Sequence, residues 1–375
     1  MIWAVVVGAL IILVVLWEAF ETVVLPRRVT RRFRLTVVFY RTTWAPWKFI
    51  ARHIRKISRR ETFLSFYGPL SLLFLFTFWG IGLIVGFGLL YYSEAHVDSA
   101  TSTLGSALYL SGTTLFTLGI GDVVPHTALG RFLVVAESGL GFGFLALVLS
   151  YLPVIYQAFS RREVNIVLLD ARAGSPPTAG ELLRRHSGPN GIESLTQLLR
   201  DWERSSAEIL ESHISYPAVA YFRSQHNNES WLTALAAMLD LTALLLSSTT
   251  EGELRQARLT FAMCRHTVVD LAQLFRTPPH SLPVERLPAA ELDRLRAQLE
   301  STGFQIRKRQ AAERKLSELR QMYEPYVQAL SRYLYMEVPP WILAKEINDN
   351  WRTSAWGRIS GFAVSSTVEA DDHSD

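Results

Sequence analysis

Thr117 to Asp122 read T-L-G-I-G-D, and the chemistry such a run offers comes from its backbone. Two glycines one residue apart, after a threonine and before an aspartate, suit a strand that turns several carbonyl oxygens toward one axis. Glycine reaches the left-handed conformations this requires without steric cost. Copies of such a strand around an axis stack oxygens into rings that can replace the water shell of a monovalent cation. A G-x-G in a loop is by itself only a turn, so the flanking elements decide the reading.

Those elements are apolar and long. A helix crossing a hydrocarbon core of roughly 30 Å needs about 20 apolar residues. Ile2 to Trp17 is unbroken apolar sequence, continuing through Glu18 and Glu21 to Leu25. Phe63 to Tyr92 has no charge, and Phe132 to Phe159 is interrupted only by Glu137. The first run lacks the basic leader and cleavage site of a signal peptide, so it reads as a membrane anchor. Between Pro26 and Arg60 there are twelve Lys or Arg and no acid, whereas Ser93 to Gly130 has neither Lys nor Arg. The positive-inside rule then puts the first loop and the C-terminal half in the cytoplasm, with the N-terminus and the middle loop outside. The location expected is a plasma or inner membrane, crossed several times.

Ser102 to Phe116 is helical in spacing, with Ser and Thr near its start as caps, and roughly 15 residues are too few to cross. It reads as a half-helix that dips in and returns, ending directly at Thr117. Irregular backbone at membrane depth survives only where protein buries it or water reaches it.

In this setting the sequence resembles the potassium-channel family over about residues 63–159: a two-helix pore module whose filter is usually written T-V-G-Y-G-D. The resemblance implies an outer helix 63–92, a pore helix 102–116, a filter 117–122 and an inner helix 131–159. It implies potassium coordination by Thr117, Leu118, Gly119, Ile120 and Gly121, with Asp122 at the outer mouth. Pro125 and the Gly130-Arg131 pair match further family positions. Leu118 stands where valine is usual, Ile120 where tyrosine or phenylalanine is usual, and Phe116 where a small hydroxyl residue is frequent. Backbone oxygens survive these changes, but the ring that wedges the filter open does not. A weakly selective cation channel is therefore the alternative within transport. A non-conducting, membrane-anchored signalling protein with a channel-like fold is the alternative outside it.

One filter per chain demands several copies, so a homotetramer is expected. No cofactor is implied; potassium enters as the permeant ion, with no other metal. Glu137, an acid inside an apolar span, must be paired, neutral or wetted. It is expected to support the filter through the pore helix near Thr113 or Thr114. Gly141 aligns with a family bending position, and Gly139 and Gly143 are spaced for helix packing, so hinge and packing both stand. Gly82 and Gly86 carry the same packing spacing in the second span. A voltage sensor is not expected, because only one span precedes the pore unit.

The basic segment 26–62 lies between two apolar spans and reads as an interfacial segment on anionic lipid, not as a nucleic-acid site. Phe33, Leu35, Val37, Val38, Phe39, Trp44, Trp47, Phe49 and Ile50 would dip into the interface.

Residues 160–180 read as a linker, 181–364 as a cytoplasmic helical domain and 365–375 as a disordered acidic tail. Glu163 to Asp170 is a short strand or the tail of the inner helix. Helices are expected over Gly180–His186, Ile192–Ser215, Glu229–Leu245 capped by Asn228, Glu253–Phe275, Pro288–Ser301 and Arg307–Leu334. Trp231 to Leu245 is apolar but short and contains Asp240, so it reads as a buried core helix. The fold class is thus an all-α membrane protein with three spans, a re-entrant pore helix and filter, and a helical cytoplasmic domain. The single cysteine, Cys264, excludes an internal disulfide. Cys264 and His266 diverge on a helix and make no metal site. No dinucleotide or phosphate loop, zinc cluster or nucleophile elbow is present. No enzyme is expected, and any ligand of the helical domain is unknown.

Overall fold

The structure, a computed structural model, describes residues 2–25, 35–94, 99–188, 190–226, 228–248, 255–280, 285–300 and 310–343. The stretch 26–34 and the acidic tail lie outside the described residues, as do Gly252 and Phe33. Every regular element among the described residues is helical. The chain divides into two compact units, one of residues 1–49 and 67–157, the other of residues 50–66 and 158–375.

The first unit holds α1 (Ile2–Ala19), most of α2 (Leu35–His53), α4 (Tyr67–Ser93), α5 (Leu104–Leu115) and the first part of α6 (Ala128–Ala173). α1 ends in a π-helical turn over Phe20–Val24. It packs on α4 through small residues: a Cβ on Gly8 would lie 2.6 Å from the Gly86 carbonyl, and one on Gly82 2.9 Å from Val15. Small residues allow such close backbone approach, and with it tight van der Waals packing between the two helices. Glu18, wholly buried, accepts from the Thr36 N–H (3.2 Å) and hydroxyl (3.0 Å), tying the end of α1 to the first turn of α2.

α2 buries Thr36, Tyr40, Trp44 and Ala51. Trp44 is 2% exposed and packs on Tyr67 of α4 at 4.7 Å between ring centroids, whereas Phe49 and Ile50 are more than half exposed. The indole is thus part of the core of this unit. Among the described residues, four helices are long and apolar enough to cross a membrane: Ile2–Val24, Ile57–Ser93, Ala128–Ala173 and Trp231–Ser248. Burial separates them, since the most apolar window is 11% buried in Ala128–Ala173 and 94% buried in Trp231–Ser248.

The second unit is a helical bundle. It consists of α3 (Ile57–Ser65), the end of α6, α7 (Ala179–Arg185), α8 (Gly191–Ser215), α9 (Trp231–Ser248), α10 (Arg255–Leu274), α11 (Ala289–Glu300), α12 (Gln310–Gln321) and α13 (Glu324–Leu334). α9 is its axis, buried on every face, as a helix that is apolar all round must be. Ser230, not Asn228, caps it, its hydroxyl accepting from the Thr233 N–H at 3.0 Å. Asp240, 2% exposed, is held by the Arg286 guanidinium (2.6 Å) and the Tyr323 hydroxyl (2.6 Å). Removing one partner of such a buried pair costs about 3–5 kcal/mol.

Residues 163–170 continue α6 to Ala173 and do not form a strand. Pro325 divides the expected Arg307–Leu334 helix into α12 and α13, because proline cannot continue a helix but is accommodated in a first turn. α3 joins this unit through Glu61, paired with Arg223 at 3.4 Å, and Arg60, paired with Glu337 at 2.6 Å.

The end of α6 is held by Arg162, which donates to the Val219 (3.0 Å) and Phe222 (2.9 Å) carbonyls and pairs with Glu163 (3.1 Å). His213 lies 3.4 Å from Arg162 and packs on Trp231. Burial first, and the Arg162 charge second, hold its imidazole well below its ordinary value. The unfolded chain therefore takes up a proton near about pH 6.5 that the folded chain refuses, so stability falls with pH below that point. The expected slope is up to about 1.4 kcal/mol per pH unit. Chemical unfolding followed by tryptophan fluorescence should show it, and His213→Gln should flatten it; equal slopes in both proteins would contradict this account.

Candidate functional site

α5 starts with a capping box. Thr103 accepts from the Ser106 N–H at 3.1 Å, and the Ser106 hydroxyl returns to the Thr103 backbone. At its other end the free carbonyls are taken by the strand that follows. Thr113 O accepts from the N–H groups of Leu118 (2.8 Å) and Gly119 (3.4 Å), and Thr114 O from that of Thr117 (3.0 Å). Thr113 and Thr114 thus support the strand through their backbone. The last turn of the pore helix and the first peptides after it form one hydrogen-bonded piece.

The backbone then alternates. Thr117, Gly119 and Gly121 have φ of 55°, 56° and 83°, and the intervening Leu118 and Ile120 are not in this region. For the glycines this conformation is free. For Thr117, β-branched, it costs about 1–3 kcal/mol and persists because the hydrogen bonds to Thr113 and Thr114 fix the chain on both sides. The side chains of Leu118 and Ile120 are 65% and 60% exposed, and a Cβ on Gly119 would meet nothing within 4 Å.

Asp122 is anchored to the pore helix by the Tyr109 hydroxyl, which donates at 3.0 Å, and also accepts from the Val123 N–H at 3.1 Å. Past Pro125, Thr127 caps α6 by accepting from the Gly130 N–H at 2.9 Å, and its hydroxyl donates to Glu94 at 2.5 Å. Arg131 donates to the Pro125 carbonyl at 3.4 Å. A Cβ on Gly130 would lie 2.7 Å from Pro125, so glycine is required where α6 starts.

Glu137 is wholly buried and joins three helices. One carboxylate oxygen accepts from the Tyr91 hydroxyl of α4 at 2.7 Å, the other from the Ser111 hydroxyl of α5 at 2.5 Å. Its pore-helix partner is Ser111, one turn before Thr114, and not a threonine hydroxyl. The Thr113 hydroxyl instead donates to the Leu110 carbonyl. Tyr91, Ser111 and Tyr109 carried no signal of their own in the sequence. A carboxylate inside an apolar helix nonetheless calls for donors, and hydroxyls on neighbouring apolar helices are the groups able to supply them.

Gly141 is the second point of close approach: a Cβ there would lie 2.0 Å from the Leu115 carbonyl oxygen. Gly139 and Gly143 have nothing within 4 Å in the protomer. Helix α6 runs unbroken through all three. Within one chain, therefore, the glycine that packing requires is Gly141, where α6 passes the end of the pore helix.

Residues 79–157 match the family model described as "Ion channel". The chain is 24% identical over 192 residues to "Uncharacterized membrane protein YdjJ" of Bacillus subtilis, covering 49% of this chain and 55% of that protein. It is 41% identical over 76 residues to "Potassium voltage-gated channel subfamily KQT member 4" of Homo sapiens, covering 20% of this chain and 11% of that protein, with the same figures for Rattus norvegicus. The chain thus spans about half the length of the first relative and about a tenth of the other. No solved structure matches significantly. These likenesses support an ion-channel domain at residues 79–157 in a membrane protein.

Two substitutions test the geometry. Gly141→Ala should cost at least about 3 kcal/mol, the upper range of overpacking, because a backbone carbonyl cannot give way as a side chain can. Gly139→Ala is the control. Glu137→Gln should cost about 1–3 kcal/mol, since an amide accepts from only one of the two hydroxyls and turns a donor on the other. Thermal unfolding of the purified protein reads both, and equal stability of Gly141→Ala and Gly139→Ala would refute the close-approach account.

Proposed function

We propose that the chain is the pore-forming subunit of a homotetrameric potassium channel, carrying potassium passively down its electrochemical gradient. The observation that carries this reading is the period-two left-handed backbone at Thr117, Gly119 and Gly121, fixed to the end of a short helix between two long apolar ones. Carbonyls of Thr117, Leu118, Gly119, Ile120 and Gly121 gathered on one side are suited to replacing potassium's hydration shell. A single strand supplies one side of such a cage. The exposed Leu118 and Ile120, and the exposed Phe132, Val135 and Phe142 of α6, are apolar surface suited to neighbouring copies and lipid. Asp122 stands at the outer mouth, and Glu137, Thr113 and Thr114 support the filter from behind. Gly141, with Gly139 beside it, is the place at which α6 would bend.

In this reading α1, α4 and α6 span the membrane, with the N-terminus outside and the bundle in the cytoplasm, following the basic residues. The basic segment faces anionic lipid, and α9 stays in the bundle core. The relative named as a potassium channel lends support over the pore stretch alone. The second reading, a weakly selective cation channel, is favoured by one observation. Ile120 is 60% exposed and brings no ring against the pore helix, so ring diameter rests on the backbone ties to Thr113 and Thr114.

Planar-bilayer recording from purified protein, with potassium on one side and sodium on the other, distinguishes the readings. Potassium selectivity predicts a reversal potential displaced toward the potassium equilibrium value. A reversal near zero would select the weakly selective channel, and the absence of current would reject both. Crosslinking should give a ladder ending at four copies.

A further inference from the structure

The bundle contains a cavity of about 290 Å³ that the pore reading does not use. It lies between α3, the start of α9 and the strap that follows α13, and its charged lining includes Arg60, Glu61, Arg223, Glu229 and Glu337. That volume is at the lower end of small-molecule sites. Two guanidinium groups face the same space. The Arg223 side chain is 7% exposed, pairs with Glu61 at 3.4 Å and donates to the Leu334 carbonyl at 2.7 Å. The Arg60 side chain is 14% exposed, lies over the Tyr335 ring at 5.3 Å and pairs with Glu337 at 2.6 Å.

The cavity is unbalanced in hydrogen bonding. Among the described residues that line it, the buried side-chain atoms without a hydrogen-bond partner are Nε of Arg60, whose ion-pair contact to Glu61 is 3.7 Å long, and Nε of Arg223, and both are donors. An occupant that completes the site must therefore bring acceptors. The Arg60–Glu337 pair shows which kind. Glu337 reaches a single nitrogen, Nη2, and its own side chain is 78% exposed, so the acid meets Arg60 from the solvent side. A guanidinium is built to be gripped by two oxygens across Nε and Nη2, which is stronger and more specific than the single contact made here.

We infer that this cavity binds a small organic anion, a carboxylate or phosphate, which displaces the Glu337 side chain from Arg60 and takes both Nε and Nη2. Glu337 occupies the site as a stand-in of the same chemistry, and the Glu61–Arg223 pair forms the adjoining wall. Glu61 and Arg60 both belong to α3, which leads through Phe66 directly into α4. Occupancy would thus alter the ion pairs of the segment preceding the outer pore helix. The anion can be a soluble metabolite or a lipid headgroup, since both offer the same oxygens.

The test is calorimetric titration of succinate and of inorganic phosphate into the full chain in phosphatidylcholine nanodiscs, repeated in discs containing phosphatidylglycerol. It requires no conduction, so its failure and the failure of the pore reading are separate results. At least one probe should bind the natural protein. Arg60→Gln should weaken binding by about tenfold or more, the effect of losing a hydrogen bond to a charged group. Glu337→Gln, at an exposed position that leaves the fold intact, should strengthen it several-fold by removing the competitor. Equal binding in both discs marks a soluble anion as the occupant; suppression by phosphatidylglycerol marks a headgroup. Absence of binding by either probe in the phosphatidylcholine discs, unchanged affinity in Arg60→Gln, or weaker binding in Glu337→Gln would overturn the inference.

Discussion

One carboxylate sets the arrangement of the channel domain. Glu137 sits without solvent in an apolar helix, where an unpaired acid is not tolerated, and its two oxygens are met by hydroxyls from two other helices. Helices α4, α5 and α6 are therefore fixed to a single point. Four residues further along α6, Gly141 brings its backbone against the Leu115 carbonyl. These two contacts hold the last turn of α5 in place, and its free carbonyls in turn hold the segment at Thr117. The left-handed conformation of Thr117 persists there because its own N–H and those of Leu118 and Gly119 are tied to the Thr113 and Thr114 carbonyls.

The second unit follows a different rule. Its axis, α9, is as apolar as a short membrane span, yet it is covered by protein on every side. Asp240 is accommodated in it because Arg286 and Tyr323 supply the charge and the hydrogen bond. The polar clamps at Arg162 and Arg223 then tie the end of α6 and the short α3 to one loop, Val219 to Arg223. The two chain segments continuous with the pore helices are thus gripped within the same bundle.

Much of this was legible in the residues. Long helices that are apolar throughout are visible as runs, so α1, α4 and the first part of α6 were readable, and α5 was readable through its Thr103 cap. The spacing of Gly82 and Gly86 announced a close helix contact on α4, but not that α1 makes it. The tail of α6 was also readable, because Arg162, Glu163, Ile166, Leu169, Asp170 and Ala173 are the buried positions and follow a helical period. The β-branched residues of E-V-N-I-V-L-L-D obscured it. The division of α12 from α13 was written in Pro325. What no local pattern disclosed were pairings between residues far apart: Tyr91 and Ser111 lie 46 and 26 positions from Glu137. Arg286 lies 46 from Asp240. The burial of Trp44 was hidden for the same reason, since an aromatic suits an interface and a core equally until Tyr67 is seen beside it.

The central claim is that peptide oxygens of several identical chains converge on one axis and strip a potassium ion of water. A density map of the purified protein in potassium-containing lipid tests it most directly. The account predicts four copies around a shared axis, with ion density in line between the carbonyls of Thr117 to Gly121. A single chain in lipid, or filter peptides turned away from any common lumen, would contradict it.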